Sequence, residues 1–153
     1  MEKIARLPFS LRAFLLAPWP VPLVASAVLV MGSPGRDPLF GFLLFSGIGA
    51  VIGYLGTAAL VVTLHFIAQA RPVTRLVSAV TGILLAGLGY LPFIWMNWKS
   101  SGPDSGPPIE TFVTHFLRNW NDPFLGIFLA GGLVAALLYH TLARRFSRSA
   151  AKV

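Results

Sequence analysis

The sequence predicts an all-α membrane protein with four transmembrane helices, N-in/C-in, and one extracytoplasmic amphipathic interfacial helix between helices 3 and 4. Three observations predict it. Charged residues make up 11% of the chain and hydrophobic residues 56%, whereas a soluble domain carries about 25% charged residues. The charges cluster between four apolar runs, each long enough to cross the hydrocarbon core as a helix. Lys and Arg favour one side of those runs nine to three, the bias that marks a cytoplasmic face. The 153 residues make a single domain.

The first span runs over 13–31. Its opening, Ala17-Pro18-Trp19-Pro20-Val21-Pro22, resists a regular helix because each proline lacks a backbone donor. The helix proper is therefore expected to start near Trp19. The residues before it form a short interfacial helix with Ile4, Leu7, Leu11, Phe14 and Leu15 on one face. Ala25-Ser26-Ala27 resembles a signal-peptidase site, but the apolar run continues through Met31 and prolines crowd it. The span is expected to stay attached.

The second span covers 39–64, the third 76–95 and the fourth 123–143, and no formal charge lies inside any of them. Backbone polar groups in lipid must bond within their own segment, and these runs do not alternate as barrel strands do, so they are helices. Gly32 to Pro38 and Arg71 to Arg75 are short turns. The expected cytoplasmic side holds Lys3, Arg6, Arg12, Arg71, Arg75, Arg144, Arg145, Arg148 and Lys152. Across from it lie Arg36, Lys99 and Arg118, together with Asp37, Asp104, Glu110 and Asp122. Orientation in the inner membrane explains the net charge of +7, and no nucleic-acid module accompanies it.

Small residues recur at steps of three and four, which places them on one helix face. They are Ser46, Gly49, Gly53 and Gly56 in the second span and Ser78, Gly82, Ala86 and Gly89 in the third. Gly126 and Ala130 belong to the fourth, with Gly131 and Ala135 following. Such faces let backbones approach closely, so these are the candidate helix-packing positions.

The third connection carries more information than a loop. After a Pro/Gly/Ser-rich stretch, Ile109, Phe112, Val113, Phe116, Leu117 and Trp120 fall at helical spacing. Glu110, Thr111, Thr114, His115, Arg118 and Asn119 fill the gaps as a polar face. A helix over 108–121 is too short to cross and holds charges, so it is expected to lie on the outer surface. The six apolar residues form the candidate partner or gating surface.

Reactive chemistry is poorly supplied. There is no cysteine. His65 and His140 sit at similar expected depth but lack a third ligand, so no metal or cofactor is expected. Ser46 and Ser78 have no recognisable catalytic partner, and Gly47 to Gly53 is a glycine pattern inside an apolar span. The expected function is non-enzymatic: a multi-pass protein acting by binding a membrane-protein partner, as an accessory subunit or a protective, immunity-type partner. The alternative is a homo-oligomeric small channel or transporter, because four short spans hardly enclose a polar pathway alone.

Overall fold

A computed structural model of the chain describes residues 9–31, 37–102 and 108–150, and these form helices only. Four stretches are long and apolar enough to cross a membrane: Leu11–Val28, Pro38–Ala70, Arg75–Lys99 and Pro123–Ser147.

The first stretch is two helices. α1 (Leu11–Leu16) is capped by Ser10, whose side chain accepts from Ala13 N, and α2 (Pro20–Met31) restarts after a bend. Pro18 and Pro20 cannot donate to the carbonyls of Phe14 and Leu16, so the ladder breaks between them. A side chain repairs part of the break. Tyr54 Oη donates to Leu15 O at 2.9 Å and accepts from Trp19 Nε1 at 2.7 Å. α1 does not stand off as a separate surface element, since Ala13 and Ala17 are fully buried in the core. Ile4 and Leu7, part of its expected apolar face, lie outside the described residues.

α3 (Pro38–Ala70) is 33 residues long, about 50 Å at 1.5 Å per residue, and so exceeds a roughly 30 Å hydrocarbon core. Asp37 caps it through Leu39 N and Phe40 N, with proline in the first turn. α2 lies against α3 along a seam of proline on glycine. A Cβ at Gly49 would sit 2.8 Å from Pro22 Cβ, and one at Gly53 would sit 3.2 Å from Pro18 Cβ. Pro18, which helps break α1 from α2, and Pro22 within α2 thus supply the ridge that the glycines of α3 accommodate.

α4 (Arg75–Lys99) starts from a Thr74 cap, and α6 (Pro123–Ala150) returns antiparallel to it. These two make the closest contact in the bundle. A Cβ added at Gly82 would collide with Gly132 O and lie 2.5 Å from Ala136 Cβ. One added at Gly132 would collide with Gly82 O and lie 2.5 Å from Ala86 Cβ. Backbone therefore meets backbone, in a pairing of Gly-x-x-x-Ala on each helix.

Two apolar clusters flank this crossing. Towards Arg71, Ala13, Ala17, Leu60, Leu64, Val73, Ala136, Tyr139 and Ala143 form the first. Arg144 closes it by donating to Val73 O at 3.2 Å. At the opposite end Tyr90, Ile94 and Leu125 form the second, with Phe112, Phe116, Phe128 and Leu129 packed on it.

The crossing gives a direct test. Gly82→Leu should cost about 1–3 kcal/mol or more of stability in detergent, the scale of an overpacked contact with backbone in the way. Gly56→Leu should be nearly silent, because nothing lies within 4 Å of a Cβ there. Thermal unfolding of the two purified variants checks this, and equal midpoints would contradict it.

Candidate functional site

α5 (Phe112–Arg118) sits beyond the second cluster and packs on α4. It is shorter than the expected 108–121 because Thr111 is the cap, accepting from Thr114 N, and leaves 108–110 outside the helix. Two sets of contacts hold it. The first is aromatic: the Phe112 ring lies 5.2 Å from Trp95 and 5.7 Å from Trp98, and Phe116 continues the stack towards Trp120. The second is polar. Glu110 Oε1 takes His115 Nδ1 at 2.7 Å and an Arg118 nitrogen at 2.6 Å, while Trp98 Nε1 donates to Glu110 O at 2.8 Å.

This arrangement divides the six-residue stripe in two. Phe112 and Phe116 are half-buried against the bundle. Ile109, Val113, Leu117 and Trp120 point away from it and stay 60–85% exposed. His115, assigned by spacing to the wet face, is instead buried beside Phe112 and Phe116. Glu110 offers its Nδ1 a carboxylate partner on the inner side, while Nε2 is buried without a partner among the described residues.

Beside α5 an open cleft of about 700 Å³ lies between the last turn of α4 and the first turn of α6. Arg118 and Asp122 line it, with Asn97 and Asn121, and Phe93, Met96 and Phe124 supply apolar walls. Asp122 caps α6: Oδ1 accepts from Phe124 N at 2.9 Å, and Oδ2 accepts from Tyr90 Oη at 2.7 Å.

A second polar pair lies deep at the other end. Ser78 Oγ is 2.9 Å from His140 Nδ1 and also donates to Thr74 O at 3.1 Å. With the hydroxyl proton on Thr74 O, His140 Nδ1 donates to Ser78, and Nε2 is left without a partner among the described residues. Both side chains are 0% exposed. The pair joins α4 to α6 across the closed interior of the bundle. His65 is exposed and takes no part. Among the described residues no three His, Asp or Glu side chains converge as a metal centre requires.

The packing positions read from spacing separate likewise. Ser46, Gly49 and Gly53 face the bundle, and so do Ser78, Gly82 and Ala86. Nothing lies within 4 Å of a Cβ at Gly56, Gly89 or Gly126, and Ala130 is exposed. On α6 the contact falls instead to Gly132 and Ala136, and a Cβ added at Gly131 would lie 3.0 Å from Val21. Spacing missed the Ser78–His140 pair, 62 residues apart, and the Asp122 to Tyr90 bond. The only signal for the first was that antiparallel neighbours bring the basic end of one span beside the basic end of the next; spacing carried none for the second.

No protein-family model matches the chain, and neither a curated protein nor a solved structure is similar to it.

The cap should respond to labels face by face. Spin labels at positions 112 and 115 should be shielded from water-soluble quenchers, while a label at 111 should be freely quenched. Phe112→Asp should raise quenching at 115, because a charge would enter the aromatic cluster. Equal quenching at 111 and 115 would mean that α5 does not dock.

Proposed function

We propose that the protein is a non-enzymatic inner-membrane protein with both termini in the cytoplasm. In this proposal α5 lies at the extracytoplasmic interface and that end of the bundle binds a membrane-protein partner. The observation that carries the proposal is the α5 cap. A short helix is braced from within by aromatic rings and one carboxylate, and its second apolar face is left uncovered next to a polar cleft. An apolar centre with a polar rim is the anatomy of a recognition surface. A surface already ordered by its own chain loses less conformational freedom on binding.

Orientation is supported by the nine-to-three distribution of Lys and Arg. A binding role is supported against catalysis by the closure of the Ser78–His140 pair, which no substrate could reach without parting α4 from α6. The described Asp, Glu, Lys and Arg side chains sit at the helix ends, which gives a single copy no charged path along its spans.

Two measurements test this. Reporter fusions after Arg75 and at Lys152 should report cytoplasm, and those after Arg36 and Ser105 the outside. A cytoplasmic signal at Ser105 would reverse the orientation. Purification from native membranes in mild detergent, with mass determination, should yield a complex with a second polypeptide at fixed stoichiometry. Leu117→Asp should abolish that complex, and Val62→Ala, on the exposed side of α3, should not. A homo-oligomer would favour the channel or transporter alternative, and a monomer alone would defeat the partner-binding proposal.

A further inference from the structure

The cleft between α4 and α6 has an unequal distribution of charge that the cap itself does not explain. Asp122 accepts one hydrogen bond on each carboxylate oxygen, and both donors are neutral. Among the described residues no cation stands in ion-pair contact with it. Arg118 lines the same cleft with its side chain 65% exposed, and among the described residues one of its nitrogens is engaged, by Glu110. A guanidinium carries five N–H donors in a planar fork suited to phosphate. The cleft therefore presents an anion and a cation that do not pair with each other. Its remaining wall is apolar: Phe93, Met96 and Phe124 are each more than two-fifths exposed, and Phe93 stacks on Phe124 at 6.0 Å.

We propose that this cleft holds a zwitterionic aminophospholipid, its phosphate on Arg118, its primary ammonium on Asp122, and its acyl chains leaving over Phe93, Met96 and Phe124. The inference rests on the spans crossing a bilayer, not on the existence of a protein partner. Three features choose this occupant. The ligand must carry both charges, because a simple anion on Arg118 would face the Asp122 carboxylate, and a simple cation on Asp122 would leave the N–H donors of Arg118 that Glu110 does not take unused. Its cation must donate hydrogen bonds, since Asp122 keeps one free lone pair on each oxygen. Its remainder must be apolar, because the third wall would otherwise be wetted. A primary amine on a phosphodiester with two acyl chains meets all three conditions. A phosphatidylglycerol lacks the ammonium, and a phosphatidylcholine lacks the N–H donors.

The test uses the purified full-length protein in mild detergent. It is titrated with dioleoyl phosphatidylethanolamine, phosphatidylglycerol or phosphatidylcholine, and lipid retention is read by native mass spectrometry. Phosphatidylethanolamine should be held about tenfold more tightly than the other two, the scale of one charge-assisted hydrogen bond. Asp122→Asn keeps an oxygen to cap α6 and should erase the preference, while Arg118→Gln should weaken all three lipids. Met96→Trp fills the cleft without touching the Asp122 cap. It should expel the lipid at an unchanged unfolding temperature, which carries the test if Asp122→Asn fails to fold. Equal retention of the three lipids by the wild type would overturn the proposal, as would a preference that survives Asp122→Asn. So would displacement of the lipid by equimolar glycerophosphoethanolamine, because the site would then read the headgroup alone. The protein is assayed without partners, so failure here leaves the co-purification result standing, and the reverse also holds.

Discussion

The meeting of Gly82 with Gly132 is the constraint from which the rest of the bundle follows. In lipid there is no hydrophobic force pressing one helix on another, so close packing and interhelical hydrogen bonds must supply the attraction. Two glycines facing each other, each followed one turn on by alanine, bring the α4 and α6 backbones into contact. That contact sets the register of the antiparallel pair. One turn before Gly82, Ser78 then falls opposite His140, and its hydroxyl meets the imidazole Nδ1 where neither side chain reaches water. In the other direction Tyr90 falls beside Phe128 and reaches the Asp122 carboxylate that starts α6. A slip by one residue would turn both polar pairs out of register and leave four polar groups without their partners. The apolar crossing and the polar pairs therefore select the same alignment by independent means.

The architecture was legible in the sequence to the extent that it depends on length and hydropathy. Four runs of the right length, separated by charged punctuation, give four long helices, and the proline cluster marks where the first is interrupted. What remained hidden was which of several equivalent faces is used. On α6 the series Gly126 and Ala130 has the same four-residue spacing as Gly132 and Ala136. Spacing cannot choose between them, because the choice belongs to the partner helix. Gly132 and Ala136 lie inward since the turns beyond them carry Tyr139 and His140, which must be buried, whereas Gly126 sits at the exposed start of the helix. On α3 the deciding partner was unexpected. Gly49 and Gly53 accommodate Pro22 and Pro18, so residues read as helix breakers and residues read as packing positions form one contact.

The α5 segment was legible as an amphipathic helix but not as a helix with two apolar faces. At about 100° per residue, Phe112 and Phe116 point about 100° away from Val113 and Leu117. A stripe that broad cannot lie entirely against one surface. The side that docks is chosen by Glu110, which draws His115 inward and stays paired with Arg118 at the rim. Nothing in the spacing ranks a histidine above a valine for burial; the carboxylate five residues earlier does so. The cost of ordering this segment is shared between ring contacts and charge-assisted hydrogen bonds, and the outward face remains free for a different neighbour.

The helix caps give the two ends of the bundle different chemistry. At the α5 end, α3 and α6 both begin with aspartate followed by proline, and each aspartate accepts from backbone N–H groups of the first turn. At the other end, α1 and α4 begin with Ser10 and Thr74. Both cap types satisfy the orphan donors, but only the aspartates add a negative charge at the positive helix terminus. Two of the four acidic residues assigned to that side are thus accounted for by capping, independently of orientation. The converse is informative. A carboxylate cap at the basic end would sit among Arg71, Arg75 and Arg144 and would neutralise them. Neutral hydroxyl caps leave those guanidinium groups available to carbonyl oxygens, as Arg144 shows on Val73. The choice between aspartate and hydroxyl at a helix start therefore reinforces the charge asymmetry that Lys and Arg establish. The uncompensated carboxylate of Asp122 is a direct consequence of that choice at the opposite end.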